Sequence, residues 1–171
     1  MAGHDGVELL PLAVAWPIPC GPPNEGQAMS DVHSAIDSLS DDAAALFDQV
    51  RAATADIAGV TRHAFGAKET AAGEIVIDFC RRHGLAASFD AVANLAVTLD
   101  AAQTEREVVL ASHLDSVPRG GNFDGLAGVL AGVLVLAALK QAGARGKHGI
   151  RALGFRCEES PWFGTAYLGS K

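Results

Sequence analysis

Cysteine is scarce. Cys20, Cys80 and Cys157 are odd in number, far apart and without a C-x-x-C spacing, so neither a disulfide framework nor a thiolate zinc site is indicated. A reducing, cytoplasmic setting is the expectation. Positive charge is also short, with 13 Lys and Arg against 20 Asp and Glu, a net charge of −7, and no basic run. Nucleic acid and anionic membrane surfaces both demand clustered Lys and Arg, so neither is expected as a partner. The longest apolar run, Leu126 to Leu139, falls well short of the ~20 residues a membrane-spanning helix needs. It reads as a buried helix whose Gly128-x-x-x-Gly132 spacing serves close packing on a sheet rather than a membrane dimer. No G-x-S-x-G elbow exists and Cys157 has no placed base, which leaves a serine or cysteine hydrolase unsupported.

What is present is a globular composition: 171 residues, 49% hydrophobic and 19% charged, enough for one domain with an ordinary core. Residues 1–28 hold five of the seven prolines and show no helical or strand period. A packed element is not expected there. Asp5 and Glu8 stand where a signal peptide would be positive, and Pro17 and Pro19 interrupt the approach to any cleavage site. Met29 opens a segment resembling a natural start, so residues 1–40 are assigned to a flexible N-terminal extension and 41–171 to the folded part.

From Asp41 a helical stripe of Ala45, Leu46, Val50, Ala53 and Ile57 follows the candidate caps Ser40 and Asp41. A second helix is predicted from about Ala67 to His83, with Gly84 as its stop. The period then shortens. Leu85–Phe89 and Val92–Leu99 read as strands, and Glu107–Ser112 as a near-continuous apolar strand covered on both faces. Leu126–Gln141 supplies the long helix and Ile150–Arg156 the returning strand, a βαβ unit. The fold class expected is therefore α/β, with helices packed on a mixed, largely parallel sheet. Val109, Leu110, Val129, Val133, Leu136, Leu153 and Phe155 are its predicted core.

The chemistry concentrates after the two strands expected to be central, in Ser112–Pro118 through Asn122–Gly125 and in Cys157–Pro161. Ligand groups in open α/β sheets gather at the carboxyl ends of strands. His113 and Asp115 lie two apart, on one side of an extended chain, so the carboxylate can hold the imidazole and raise its basicity as a metal ligand. Taken alone, such a pair is as well read as a structural histidine. Asp124 stands at the mouth of the long helix, either as its N-cap or facing a cation. The adjacent acids Glu158 and Glu159 repel one another, and burying them unpaired is costly. A divalent pair gives them a use, one carboxylate coordinating metal while the other takes a proton from water.

SHLDSVPRGGNFDGLAGVLAGV followed by FRCEESPWFGTAYLGSK resembles the metal-dependent amidohydrolases of the N-carbamoyl-L-amino acid hydrolase, β-ureidopropionase and allantoate amidohydrolase branch of the M20 peptidase-like superfamily. The resemblance begins near Gly59-Val-Thr-Arg62 and runs to Lys171. It implies two divalent metal ions (zinc, manganese, cobalt or nickel), with His113 and Glu159 as terminal ligands and Asp124 as the bridging carboxylate. Glu158 would be the catalytic acid–base, and Asp115 the catalytic-site partner that orients His113. The implied substrate is a small N-carbamoyl or ureido amino acid, hydrolysed at a C–N bond.

The same resemblance implies a homodimer formed through a lid domain, and two further histidine ligands, in chains more than twice this length. His4, His33, His63, His83 and His148 are not placed to replace them. The expectation is the N-terminal portion of a catalytic domain, a partial chain of low activity. The alternatives are a non-catalytic remnant, a split subunit, or a fragment of an M20 aminopeptidase.

Overall fold

The computed structural model describes residues 25–99, 106–144 and 148–171. The chain runs α1 (Glu25–Ser38), α2 (Ser40–Thr54), a hairpin of β1 (Ala55–Asp56) and β2 (Gly59–Val60), α3 (Ala67–Arg82), β3 (Ala86–Phe89), β4 (Leu95–Leu99), β5 (Glu107–His113), α4 (Leu126–Gln141) and β6 (Gly149–Phe155), then a 3-10 turn over Leu168–Ser170. The main sheet has the order β3-β4-β6-β5. This is an α/β fold with a mixed sheet.

The balance of strand directions differs from the largely parallel expectation. Only β5–β6, joined through α4, is parallel, whereas β3–β4 and β4–β6 are antiparallel. The short connection from β3 to β4 explains part of this, because antiparallel neighbours need only a turn while parallel ones need a crossover. Here the turn is fastened by Asp90, whose Oδ1 accepts the amides of Val92 and Asn94.

Alternation sets the core. Leu95, Val97 and Leu99 of β4 face the helices and are buried with Ala152 of β6, Ala72, Val76 and Phe79 of α3, and Val129, Val133 and Leu136 of α4. Register places Leu110 beside Ala152 on that face, where it is partly buried, and puts Val109 beside Arg151 on the other. Val109 is accordingly 49% exposed, and Leu153 and Phe155 are half-buried. The expectation that β5 is covered on both faces therefore fails. β5 is an edge strand, and among the described residues no helix lies over its far face.

Two further boundaries move. Residues 25–40, assigned on sequence to the extension, form α1 and the start of α2, and Ala35 and Leu39 join the core. Residues 1–24, including Cys20 and His4, lie outside the described residues. In α2 the buried stripe is Leu46, Val50 and Thr54, so Ala45 and Ala53 are exposed. Ile57 falls beyond the helix in the β1–β2 turn and is fully exposed.

Packing of α4 on the sheet follows the small-residue spacing. A Cβ on Gly128 would meet the Ser112 side chain at 2.6 Å, and one on Gly132 would meet Ala152 and Leu110 at 3.3 Å. Backbones approach closely here because glycine leaves the space. That approach sets the start of α4 against the end of β5.

Candidate metal centre

His113 is the last residue of β5, Asp115 stands two residues beyond it, and Asp124 immediately precedes α4. Glu158 and Glu159 follow β6, the parallel neighbour of β5. Parallel strands put their carboxyl ends side by side, so both loops open at one edge.

The two ring nitrogens of His113 are differently placed. Nδ1 donates to the Asp115 carbonyl oxygen at 3.0 Å and lies 3.5 Å from Asp115 Oδ1. A carbonyl can only accept, so the proton belongs on Nδ1 and the neutral ring carries its lone pair on Nε2. Nε2 faces Asp124 Oδ1 at 3.7 Å and Glu158 Oε2 at 3.9 Å. His113, Glu158 and Glu159 each offer one ligand atom, and these atoms lie within 4.8 Å of one another. The donor set, one imidazole nitrogen and carboxylate oxygens, suits a divalent transition metal.

Asp115 does more than orient the imidazole. Its buried carboxylate accepts the Glu158 amide on Oδ1 and the Glu159 amide on Oδ2, both at 3.0 Å. One side chain thus fixes His113 and the Glu158–Glu159 peptide together. Cys157 makes this possible by adopting φ 54°, an uncommon conformation for a residue with a Cβ, which turns the chain so that the next two amides point at Asp115. Glu69 of α3 braces that turn, accepting the Cys157 amide on Oε1 and pairing through Oε2 with Arg156.

The electrostatics follow from this crowding. Burial alone would lower the His113 pKa, but the Asp115 carboxylate and the charge of Glu158 outweigh it and hold it above its ordinary value. Burial likewise opposes ionisation of Asp115, yet hydrogen bonds from His113 and the two amides lower its pKa. Glu159 moves the other way, raised by burial and by repulsion from Asp124 and Glu158. A negative pocket that resists full ionisation is one a cation would relieve.

Asp124 does not cap α4. The cap position is Gly125, at φ +65°, with no side-chain hydrogen bond, and the Asp124 carboxylate is left half-exposed beside His113. Gly125 is itself required. A Cβ there would come within 2.5 Å of the His113 ring, and positive φ strains any other residue.

All five residues singled out on sequence meet in one place. The tightest triad, however, is His113, Glu158 and Glu159 rather than His113, Asp124 and Glu159. Sequence reasoning missed Asp115 as a peptide clamp, Gly125, and the buried charges Glu69, Arg156 and Arg62. A charge committed to the interior carries no mark in the sequence until its partners are known.

Comparison with known proteins gives a consistent neighbourhood. The profile of peptidase family M28 matches residues 94–171. The N-carbamoyl-L-amino acid amidohydrolase of Geobacillus stearothermophilus is 40% identical over 114 residues, covering 66% of this chain and 28% of that protein. The allantoate amidohydrolase of Bacillus subtilis is 39% identical over 88 residues, 51% of this chain and 21% of that one. A hydantoinase/carbamoylase family amidase from Burkholderia ambifaria superposes with a TM-score of 0.66 at 35% identity, covering 74% of this chain and 31% of that structure. The chain thus spans less than a third of the length of these relatives.

Proposed function

We propose that this chain contributes the His113, Asp124, Glu158 and Glu159 centre of a metal-dependent amidohydrolase acting on the C–N bond of N-carbamoyl (ureido) amino acids. One observation carries the reading: His113, whose Nε2 lone pair is freed by the Nδ1–carbonyl bond and faces Glu158, clusters with Glu158 and Glu159 so that one ligand atom from each lies within 4.8 Å of the others. The substrate class comes from similarity to the Geobacillus N-carbamoyl-L-amino acid amidohydrolase. The motifs GG-x-FDG and FG-x-x-x-LGS support the ureido-hydrolase reading over an aminopeptidase, whose His-x-Asp and Glu-Glu they accompany.

In this reading His113, Asp124 and Glu159 would hold the divalent ions. Bound ions of this kind acidify a water and polarise the scissile carbonyl. Glu158, 30% exposed at the rim, takes the proton from the attacking water and returns it to the departing nitrogen. Asp115 keeps the His113 proton on Nδ1 and holds the Glu158 backbone still. The balanced outcome is one water consumed and the free amino acid, ammonia and carbon dioxide released. His113, Asp124 and Glu159 together offer fewer donors than two ions would take at the three or four each that such sites commonly use, so slow turnover by this chain alone is expected.

Ammonia release from N-carbamoyl amino acids, by chain loaded with zinc, manganese, cobalt or nickel, tests the reading. Slow, metal-dependent release abolished by Glu158→Gln is expected. Release that is indifferent to chelator or to Glu158→Gln contradicts it.

The exposed far face of the sheet, with Val109 49% exposed and Leu153 and Phe155 half-buried, favours one variant of this reading. In that variant further polypeptide covers this face in the complete enzyme, since exposed apolar patches mark interaction sites.

A further inference from the structure

The geometry points to Arg62 as the positioning residue that holds the two ends of the β5–α4 loop, and with them His113 and Asp124, in register, an inference that rests on the metal reading above. Arg62 follows β2, in a segment far in sequence from every proposed ligand, and it is fully buried. Its Nε donates at 2.6 Å to the carbonyl of Leu114, the residue between His113 and Asp115. Its Nη2 donates to the Asp124 carbonyl at 2.8 Å. One planar fork therefore ties the start of the β5–α4 loop to its end, just before α4.

The backbone of Arg62 grips the same loop a second time. Its amide donates to Ser116 Oγ at 3.0 Å, and its carbonyl accepts the Ser116 amide at 3.1 Å. Ser116 is further pinned by Trp162, whose Nε1 donates to the Ser116 carbonyl at 3.0 Å. The β1–β2 hairpin that carries Arg62 is fastened to this region by a bridge between Val60 and Gly120. The residue cannot drift without moving His113, Asp115 and Asp124 with it.

Space filling does not explain an arginine here. Nη1 is buried with no hydrogen-bond partner among the described residues, a cost that an apolar side chain of similar size would not carry. Burial lowers the guanidinium's pKa, and the carboxylates of Asp124, Asp115 and Glu69 oppose that shift and favour its charge. The guanidinium offsets part of their mutual repulsion while leaving every ligand oxygen free, because its directed bonds go to main-chain carbonyls. A lysine would keep the charge, but it has no rigid fork to reach both ends of the loop.

The test is calorimetric titration of zinc and of manganese into the full 171-residue chain, with thermal unfolding recorded on each variant. The account expects Arg62→Lys and Arg62→Gln to bind metal ~10–100-fold more weakly than wild type, the range found when groups supporting metal ligands are removed. Failure of Arg62→Lys to restore affinity separates positioning from charge alone. Thr54→Val removes another buried hydrogen bond, Thr54 Oγ1 to the Val50 carbonyl, and should lower the unfolding temperature without changing metal affinity. Should an Arg62 variant not fold, Ser116→Ala loosens the same bracket with the guanidinium kept, and a several-fold loss of affinity is expected. Equal affinities in wild type, Arg62→Lys and Ser116→Ala, or an equal loss in Thr54→Val, would overturn the inference. Absence of binding in wild type would overturn the metal reading, and this inference with it.

Discussion

At the scale of single residues, the account turns on side chains that serve two neighbours at once. Asp115 is fully buried and binds the His113 ring on one side and two consecutive amides on the other. Asn at that position can accept from one amide but turns its own NH2 towards the other. Asp115→Asn is therefore expected to weaken metal binding by roughly 10–100-fold and to cost ~2–3 kcal/mol of stability. Calorimetry and denaturant unfolding measure the two effects. Cys80 illustrates the opposite case, a reactive group made inert. Burial in α3 pushes its thiol up to about 12 from an ordinary value of 9.0, so the folded chain keeps the proton that the unfolded chain loses. The unfolded state then binds fewer protons between those two values, and stability should fall as pH rises through that window. Iodoacetamide labelling near pH 8, read by mass spectrometry, should leave Cys80 unmodified in the folded chain and alkylate it in denaturant.

Elements position these residues, and here glycine decides how near they come. Gly128 brings α4 onto Ser112, whereas Gly132 leaves slightly more room opposite Ala152 and Leu110. Alanine raises helix propensity by about 1 kcal/mol at either site. At Gly132 that gain should roughly offset a shift of a few tenths of an ångström, leaving the melting temperature nearly unchanged. Gly128→Ala should lower it by several degrees, because Ser112 Oγ, which donates to the Gly125 carbonyl, has nowhere to go. Differential scanning calorimetry of the two variants checks the contrast. The helix itself was legible, since a long apolar run bounded by Gly125 and Gly143 has few other readings. Its consequence for His113, through the positive φ of Gly125, was not, because close approach between elements is a property of the folded arrangement.

Across the whole molecule, legibility divided along the same line. Order and type of α2, α3, β3, β4, β5, α4 and β6 followed from periodicity and turn residues, and the clustering of five candidate residues from their places after two strands, whereas the β1–β2 hairpin did not, since Ile57 continued the helical stripe. Sheet direction and edge did not, because Glu107–Ser112 carries the apolar run of an interior strand while β5 is the edge of this sheet. Burial of α1 was missed because Ala35 and Leu39 alone make a thin apolar stripe. The supporting charges Arg62, Glu69 and Arg156 were invisible for the reason that makes them useful: each is satisfied by groups distant in sequence. What the molecule assembles from these parts is a cluster of one imidazole and several carboxylates, the donor set on which the proposed metal centre rests. X-ray absorption at the zinc edge of the zinc-loaded chain tests that claim most directly. The account predicts only nitrogen and oxygen scatterers at ~2.0–2.2 Å, with an imidazole contribution that disappears in His113→Ala. A sulfur scatterer at ~2.3 Å, or an imidazole signal unchanged in His113→Ala, would contradict it.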